Sequence, residues 1–592
     1  MTYTAIAFAP VQSFIRSSRK LRDLYGSSLL LSHLARALYV DASEQLGDDA
    51  VISPAGVSIS RGVPNTLIIV GHYSASRARG ALLAAWKQVL TACRDWLEQN
   101  VDPRSFPAPP DGWTGDWEAG WGASWKAAER HSWEVFQGQG PTIAAARQAL
   151  AIAKQQRDWS IPNWTGESSS LSSAEAIVRP TMATVVKPWT VDATAAQQEA
   201  RSFLAQLCKP DLLGEAFAEV NEEISLLELV KRLITYDQIL KEAFVLGNAK
   251  PDAEVLLKGF AGLSTRQNLQ GNQRPESIIW FMADGDRISK HLQKLATEKR
   301  GQGEKGDELA HREFSSSMRQ WATGLYTDVP ACMTTPSTAT AKPKATLVYA
   351  GGDDVLGALH ESTPGARDLH VEDLWHWVMQ FPVLWAKNNQ PTLSISMGLV
   401  WAEANVPQRE ALQHARDAEA SAKARGRDRF ALRLLYPSGN HLQWTCPWPW
   451  IQPILQHYRD REGRQSRSGT WRHLADDLVW LQERQSIGYR IHSPTDKQKD
   501  QKRLANKDEH ANATALALWK AYFPGLHEMP SANAAPTAEP DSFSPSLLQP
   551  EADRPFHRWL VDLGLVMAGL EKRRDRLGQN QTRALQTATV AR

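Results

Sequence analysis

The stretch TLVYAGGDDVLGALH (346–360) reads as a strand, a tight turn and a second strand, because two apolar runs flank Gly351-Gly352-Asp353-Asp354. Gly351 and Gly352 give the backbone positive-φ freedom and let a phosphate group approach the turn closely. Asp353 and Asp354 at the tip present hard oxygen ligands to a divalent cation. Magnesium often takes only one or two protein carboxylates and completes its shell with substrate phosphates. Taken alone, the same four residues also suit an ordinary type I′ turn.

Two other segments change that balance. IIWFMAD (278–284) is a continuous apolar run, expected of a buried strand, and it ends in Asp284-Gly285-Asp286. In a βαββαβ unit the first and third strands are central neighbours, so Asp284 and the hairpin carrying Asp353 and Asp354 converge on one metal site. Such a site suits two-metal phosphoryl transfer. Asp284 by itself is equally an N-cap for the helix that follows. The segment ALQHARDAEASAKARGRDRFAL (411–432) then reads as a helix with Lys423 and Arg425, a Gly426-Arg427-Asp428-Arg429 turn, and a strand. A cation there reaches the β- and γ-phosphates of a nucleotide, although a lone helical lysine is usually just solvated.

Around these pieces the pattern is strand (278–284), helix (288–327), hairpin (346–360), helix (371–387), strand (392–402), helix (408–426) and strand (429–435). The N-terminal part opens the same way, with a strand at Thr4–Phe8 and a long amphipathic segment from Val11 to about Val40. Two short strands follow within GVSISRGVPNTLIIVG (56–71), then a helix from about Ser76 to Gln99. Residues 101–165, rich in Pro, Gly and Trp, read as an elaborated connection with a helix in its middle. The expected fold class is α+β. It comprises two ferredoxin-like palm or nucleotidyl-cyclase domains, an intervening helical domain and a helical C-terminal domain, with boundaries at 1–190, 191–272, 273–436 and 437–592. Beyond Tyr436 the chain reads as largely helical, and 493–513 and 531–546 have a composition typical of disorder.

The 592 residues leave room for roughly three to five domains. Hydrophobic residues at 42% and charged residues at 22% describe an ordinary globular chain. The four cysteines (Cys93, Cys208, Cys332, Cys446) form no Cys-x-x-Cys pair, which excludes a disulfide framework or zinc knuckle and suits a reducing cytoplasm. A net charge of +2 does not by itself announce a nucleic-acid binder. The basic run EKRRDRLGQNQTRALQ near the C-terminus is either an RNA contact or a solvated helix end. No apolar run approaches the ~20 residues of a membrane span, and the N-terminus reads as a strand, not a signal peptide.

The three pieces together resemble the palm of diguanylate cyclases, whose signature ends in a similar Ala-Lys-x-x-Gly-Arg-Asn-Arg element. PVQSFIRSSRKLRDLYGSSLLLSHLA (10–35) and VPNTLIIVG (63–71) look like the first palm of the large subunit of type III CRISPR effectors. YAGGDDVLGAL and SAKARGRDRFAL look like its second palm, with the Cmr (III-B) branch nearest. The resemblance covers nearly the whole chain. It implies ATP as substrate, Mg2+ or Mn2+ as cofactor, and target-RNA-activated synthesis of cyclic oligoadenylate or related AMP-containing messengers. It assigns metal binding to Asp353, Asp354 and Asp284, and hairpin shaping to Gly351 and Gly352. Phosphate binding goes to Lys423, and a turn at Tyr25-Gly26-Ser27-Ser28 borders a second nucleotide. It implies guide RNA and target RNA as partners through other effector subunits, together with the backbone and small subunits, and no membrane.

Two departures from the family pattern carry expectations of their own. The first palm begins at residue 4 and none of the 16 His residues is followed by Asp, so no HD nuclease is expected. Where the family often carries a zinc-binding Cys-x-x-Cys, this chain has Ser169 and Ser172 in GESSSLSSAEA (166–176), so no zinc is expected. The competing reading from another class is a catalytically idle scaffold that binds the guide-RNA handle and partner subunits.

Overall fold

A computed structural model describes residues 2–57, 65–102, 117, 119–156, 168–171, 175–182, 193–215, 217–219, 221–244, 277–300, 305–334, 344–361, 369–403, 405–484, 486–487, 499–526 and 555–590. They fall into two compact units. The first takes 1–274 with 289–324 and 348–352, and the second takes 275–288, 325–347 and 353–592.

The first unit is built on strands β1 (Tyr3–Ala9), β2 (Val51–Ser53), β3 (Thr66–Val70) and β4 (Glu134–Gly140), in the spatial order β2-β3-β1-β4. All neighbours are antiparallel, with Ile6 opposite Leu67 and Gln137 in the register. β4 lies within the segment read from sequence as a connection, and glycine explains why. A Cβ on Gly138 would meet Leu150 N at 2.1 Å, because the helix Ile143–Gln155 lies directly on the strand. Where a helix backbone occupies the space of a side chain, the apolar alternation that marks a strand is lost. The helix expected in that segment is present at Ala119–His131. Residues 58–64, the expected Arg-Gly turn, lie outside the described residues.

Val11–Val40 is not one helix. It divides into Gln12–Arg16 and Leu21–Leu46, and the carbonyls freed at the break are captured by a buried lysine. Lys231 Nζ donates to Phe14 O (2.6 Å) and Ser17 O (2.7 Å) and sits over the Phe14 ring. The next residue, Arg232, is almost wholly buried and donates to Asp23 (2.8 Å) and to Glu222. A Cβ on Gly26 would meet Lys231 O at 2.0 Å, so the helix Leu226–Leu233 rests on the glycine. Tyr25-Gly26-Ser27-Ser28 is therefore a helical stretch packed against another helix and not the turn expected from sequence. Ser169 is buried with its hydroxyl donating to the Glu228 carboxylate (2.9 and 3.0 Å), while Ser172 lies outside the described residues.

A mixed six-stranded sheet in the order β10-β9-β8-β5-β7-β6 is built on the second unit, with only residues 348–351 of β6 counted in the first. Its strands are β5 (Ser277–Gly285), β6 (Ala345–Gly351), β7 (Asp354–Leu359), β8 (Ile395–Glu403), β9 (Arg429–Leu435) and β10 (His441–Pro447). β5 through β8 repeat the strand order of the first sheet, and β9 adds parallel to β8 through the helix Gln408–Ala424. β5 is apolar on both faces because both are covered. Phe281 packs on Trp377 of the helix Val371–Ala386, and the opposite face lies under Gln408–Ala424. Gly398 in β8 admits that second helix, since a Cβ there would meet Ala415 O at 2.2 Å.

Two sequence expectations for the C-terminal region are corrected. The sheet does not end at Leu435: β10 returns antiparallel across a Pro437-Ser438-Gly439-Asn440 loop, with Gly439 at φ 80°. Residues 499–513, which read as disordered by composition, form the start of the helix Lys499–Tyr522. The stretch has no Pro or Gly and holds three Ala and three Lys, so its backbone propensity is helical even where its apolar content is low. The other low-complexity stretch, 531–546, lies outside the described residues.

The buried pairs around Arg232 yield a test. Arg232→Met would strand the buried Asp23 carboxylate without its countercharge and leave Glu222 to Lys20 alone, at 3.3 Å, and breaking a buried pair this way costs about 3–5 kcal/mol. A lowered urea midpoint of the purified chain is expected, and a midpoint within experimental error of native would show that the pairs carry no net stabilisation.

Candidate active site at the carboxylate end of the six-stranded sheet

Strand parity decides which side chains meet. In the β5–β7 register Ala283 lies opposite Val355, and in the β5–β8 register Asp284 lies opposite Ser396 and Met282 opposite Gly398. Continued by one residue, the first register sets Asp284 across from Asp354. Directly opposed residues share a face, so Asp284, Asp354 and Ser396 lie on the face that Gly398 opens to the helix Gln408–Ala424. That helix carries Lys423, whose ammonium pairs with Asp284 and, at 2.7 Å, with Glu419 one turn earlier.

Asp353 stands beside Gly285. A Cβ on Gly285 would lie 3.0 Å from Asp353 Cβ and 3.1 Å from its Oδ2, so the absence of a side chain lets the hairpin tip close on β5. Gly352, at φ 80°, turns the chain between β6 and β7. Gly351 closes β6 against the Tyr349 ring, which a Cβ would overlap. Asp286, two residues beyond Asp284, is 3% exposed and accepts from Ser394 Oγ, Ser396 Oγ and the Asp428 N–H.

The result is a crowd of acids around one ammonium. Asp353 is pushed up to about 7, first by desolvation and then by the Asp354 carboxylate, and Asp354 is raised by desolvation. Glu419 rises to about 7 through desolvation and the charges of Asp354 and Asp286. Asp428 rises to about 6 through desolvation and Asp286. Lys423 is drawn down to about 8 by desolvation and by Arg427, even with two carboxylates against it. Adjacent carboxylates raised by desolvation, with Asp353 raised further by Asp354, are a donor set suited to a divalent cation, which would offset the buried charge. Among the described residues no three His, Cys, Asp or Glu side chains stand close enough to cage an ion by themselves.

Of the residues singled out from sequence, Asp284, Asp353, Asp354 and Lys423 lie at this one end of the sheet. Ser27 and Ser28 belong to the first unit. Ser27 is fully buried and donates to Asp23 O at 2.8 Å within its own helix, and Ser28 is nearly buried. Sequence reasoning missed Glu419. Its signal was present, since Glu419 and Lys423 are four apart on a helix and share a face.

Residues 278–431 match the family model for the second palm domain of Cas10/Cmr2, and residues 3–60 match that for the N-terminal part of the CRISPR-associated protein Cmr2. No curated protein matches the sequence. Among solved structures, the chain is similar to the type III-B Cmr-beta structure in the apo state, at 10% identity and TM-score 0.47 over 96% of this chain and 82% of that one. A Cmr-beta structure bound to cognate target RNA gives 11% identity and TM-score 0.46, covering 96% and 83%. Csm1 from T. onnurineus gives 13% identity and TM-score 0.41, covering 96% and 69%.

The carboxylate pair makes stability depend on pH in a defined direction. A folded-state pKa raised above the ordinary 3.8 contributes stability below about pH 4 and loses it as pH rises through about 7. In metal-free buffer, Asp353→Asn is therefore expected to melt above the native chain at pH 8, with the difference vanishing near pH 4. Equal melting temperatures at pH 8 would contradict a raised Asp353 carboxyl.

Proposed function

Because the chain belongs to the Cas10/Cmr2 large-subunit family of type III CRISPR effectors, of the Cmr-like kind, we propose that it converts ATP to cyclic oligoadenylate, or a related AMP-containing messenger, when guide RNA pairs with target RNA. One observation carries this reading. Within the segment that matches the second palm, Asp284 and Asp354 share a sheet face with Lys423, and Asp353 closes against Gly285.

In this reading Asp353 and Asp354 hold Mg2+ or Mn2+, which supplies charge neutralisation at the triphosphate and a more acidic attacking hydroxyl. Gly352 lets the phosphates approach the hairpin backbone, and Gly351 shapes the hairpin by making room for the Tyr349 ring. Lys423 turns from Asp284 to the β- and γ-phosphates, freeing Asp284 to join the other two carboxylates. The 3′-hydroxyl of one nucleotide attacks the α-phosphate of the next, and pyrophosphate leaves.

The first sheet, with the same strand order, serves as the other palm. Ser27 spends its hydroxyl inside its helix, which leaves Ser28 of that pair to border a second nucleotide. The proposed domains remain 1–190, 191–272, 273–436 and 437–592, with the second palm's sheet extended by β10. Guide and target RNA are engaged through the other subunits of the complex, and no zinc enters this scheme. The scaffold reading keeps one observation in its favour, the Lys423–Asp284 pair that withholds a carboxylate from a metal.

The test is ATP turnover by the assembled complex with guide and matching target RNA, read by mass spectrometry with and without candidate acceptors for AMP. Asp353→Ala/Asp354→Ala is expected to abolish target-dependent product, a fall of at least ~100-fold, with RNA binding unchanged. The product mass names the messenger. No product from the native complex, with RNA binding intact, would establish the scaffold.

A further inference from the structure

We propose that Asp286 is a positioning residue for nucleotide binding, a role that rests on the cyclase reading above. Its buried carboxylate locks the turn that follows the Lys423 helix, and so sets where the phosphate-binding cations stand. Asp286 stands two residues before the helix Ile288–Arg300, and its oxygens are directed to other elements. Oδ2 accepts from Ser394 Oγ (2.9 Å) and from the Asp428 N–H (3.0 Å), and Oδ1 accepts from Ser396 Oγ (2.8 Å). Its own N–H donates to Ser394 O at 2.9 Å. One side chain thus joins the end of β5, the start of β8 and the entry to β9.

The turn it holds is costly. Gly426, Arg427 and Asp428 have φ of 137°, 66° and 51°, and non-glycine residues in the left-handed region are strained. Such a turn persists only where its surroundings over-determine it. Arg427 N–H donates to Ala422 O (3.1 Å), Arg429 Nε donates to Arg427 O (2.8 Å), and Asp286 takes the Asp428 N–H. A Cβ on Gly426 would meet the Arg429 guanidinium at 2.3 Å, so the turn is packed as well as bonded. Lys423 lies on the last turn of the preceding helix, immediately before Arg425 and Arg427. Releasing Asp428 lets this helix end and its cations move relative to Asp284, which is anchored on β5.

Asp286 touches neither substrate nor metal in this scheme, so its loss is expected in binding more than in chemistry. In the assembled complex with guide and target RNA, Asp286→Ala is expected to raise the KM for ATP by about tenfold or more, with kcat within about threefold of native. Asp286→Asn should recover most of the loss, because its amide oxygen takes the Asp428 N–H and its NH2 donates to Ser396. Ser394→Ala/Ser396→Ala should give an intermediate rise in KM, and it decides the matter if Asp286→Ala does not fold. A purely structural Asp286 would instead lower the melting temperature and kcat with KM unchanged, and that result overturns the proposal. Equilibrium binding of labelled ATP to the same complexes keeps the two readings apart. A native complex that makes no product sinks the cyclase reading. A native complex that makes product while Asp286→Ala binds ATP as tightly as native sinks the positioning role alone.

Discussion

Uncompensated negative charge at one end of the six-stranded sheet is the constraint on which the second unit turns. Asp284, Asp286, Asp353, Asp354, Glu419 and Asp428 gather where β5, the hairpin and the Gln408–Ala424 helix end. Desolvation raises Asp353, Asp354, Glu419 and Asp428 above the ordinary carboxylate range. A fold selected for stability alone would replace several of them. The crowd is tolerated by a division of labour. Asp286 is satisfied by three hydrogen bonds, Asp284 and Glu419 share Lys423, and Asp353 and Asp354 stand together at the hairpin tip.

The geometry that makes this crowding possible depends on places where side chains are missing. Gly285 lets the hairpin tip approach β5, and Gly398 lets the Gln408–Ala424 helix settle on β8, which brings Lys423 over Asp284. The first unit uses the same device. Gly138 admits Ile143–Gln155 onto β4, and Gly26 admits Leu226–Leu233 onto the long second helix. Around that last contact, Arg232 and Lys231 replace apolar packing with buried ion pairs and carbonyl bonds. The close approach brings backbone polar groups inside, and the two cations satisfy them.

Much of this was legible in the residues. The apolar run 278–284, the Gly351-Gly352-Asp353-Asp354 hairpin and the Lys423 helix are local patterns, and each forms the element that its period and turn residues dictate. Their convergence follows from the strand order of one βαββαβ unit, which places first and third strands side by side. The failures have a common cause as well. β4 was hidden because Gly138 and Gly140 stand where apolar residues would announce a strand. β10 was hidden behind a short loop in a region dominated by helices. The Tyr25–Ser28 stretch looked like a turn because of a glycine whose purpose is a helix contact more than two hundred residues away in the chain.

What the sequence by itself determined, then, is the set of elements and the carboxylates at their ends, because periodicity, turn chemistry and charge are properties of neighbours along the chain. The tertiary structure decided which acid has which partner. Lys423 pairs with Asp284, Glu419 enters the same site, and Asp286 holds Ser394, Ser396 and Asp428. Those partnerships depend on strand register and on how closely a helix can lie on a glycine. Both are settled only when segments more than a hundred residues apart are packed together, since hydrogen bonds and ion pairs act over a few ångströms of space without regard to distance along the chain.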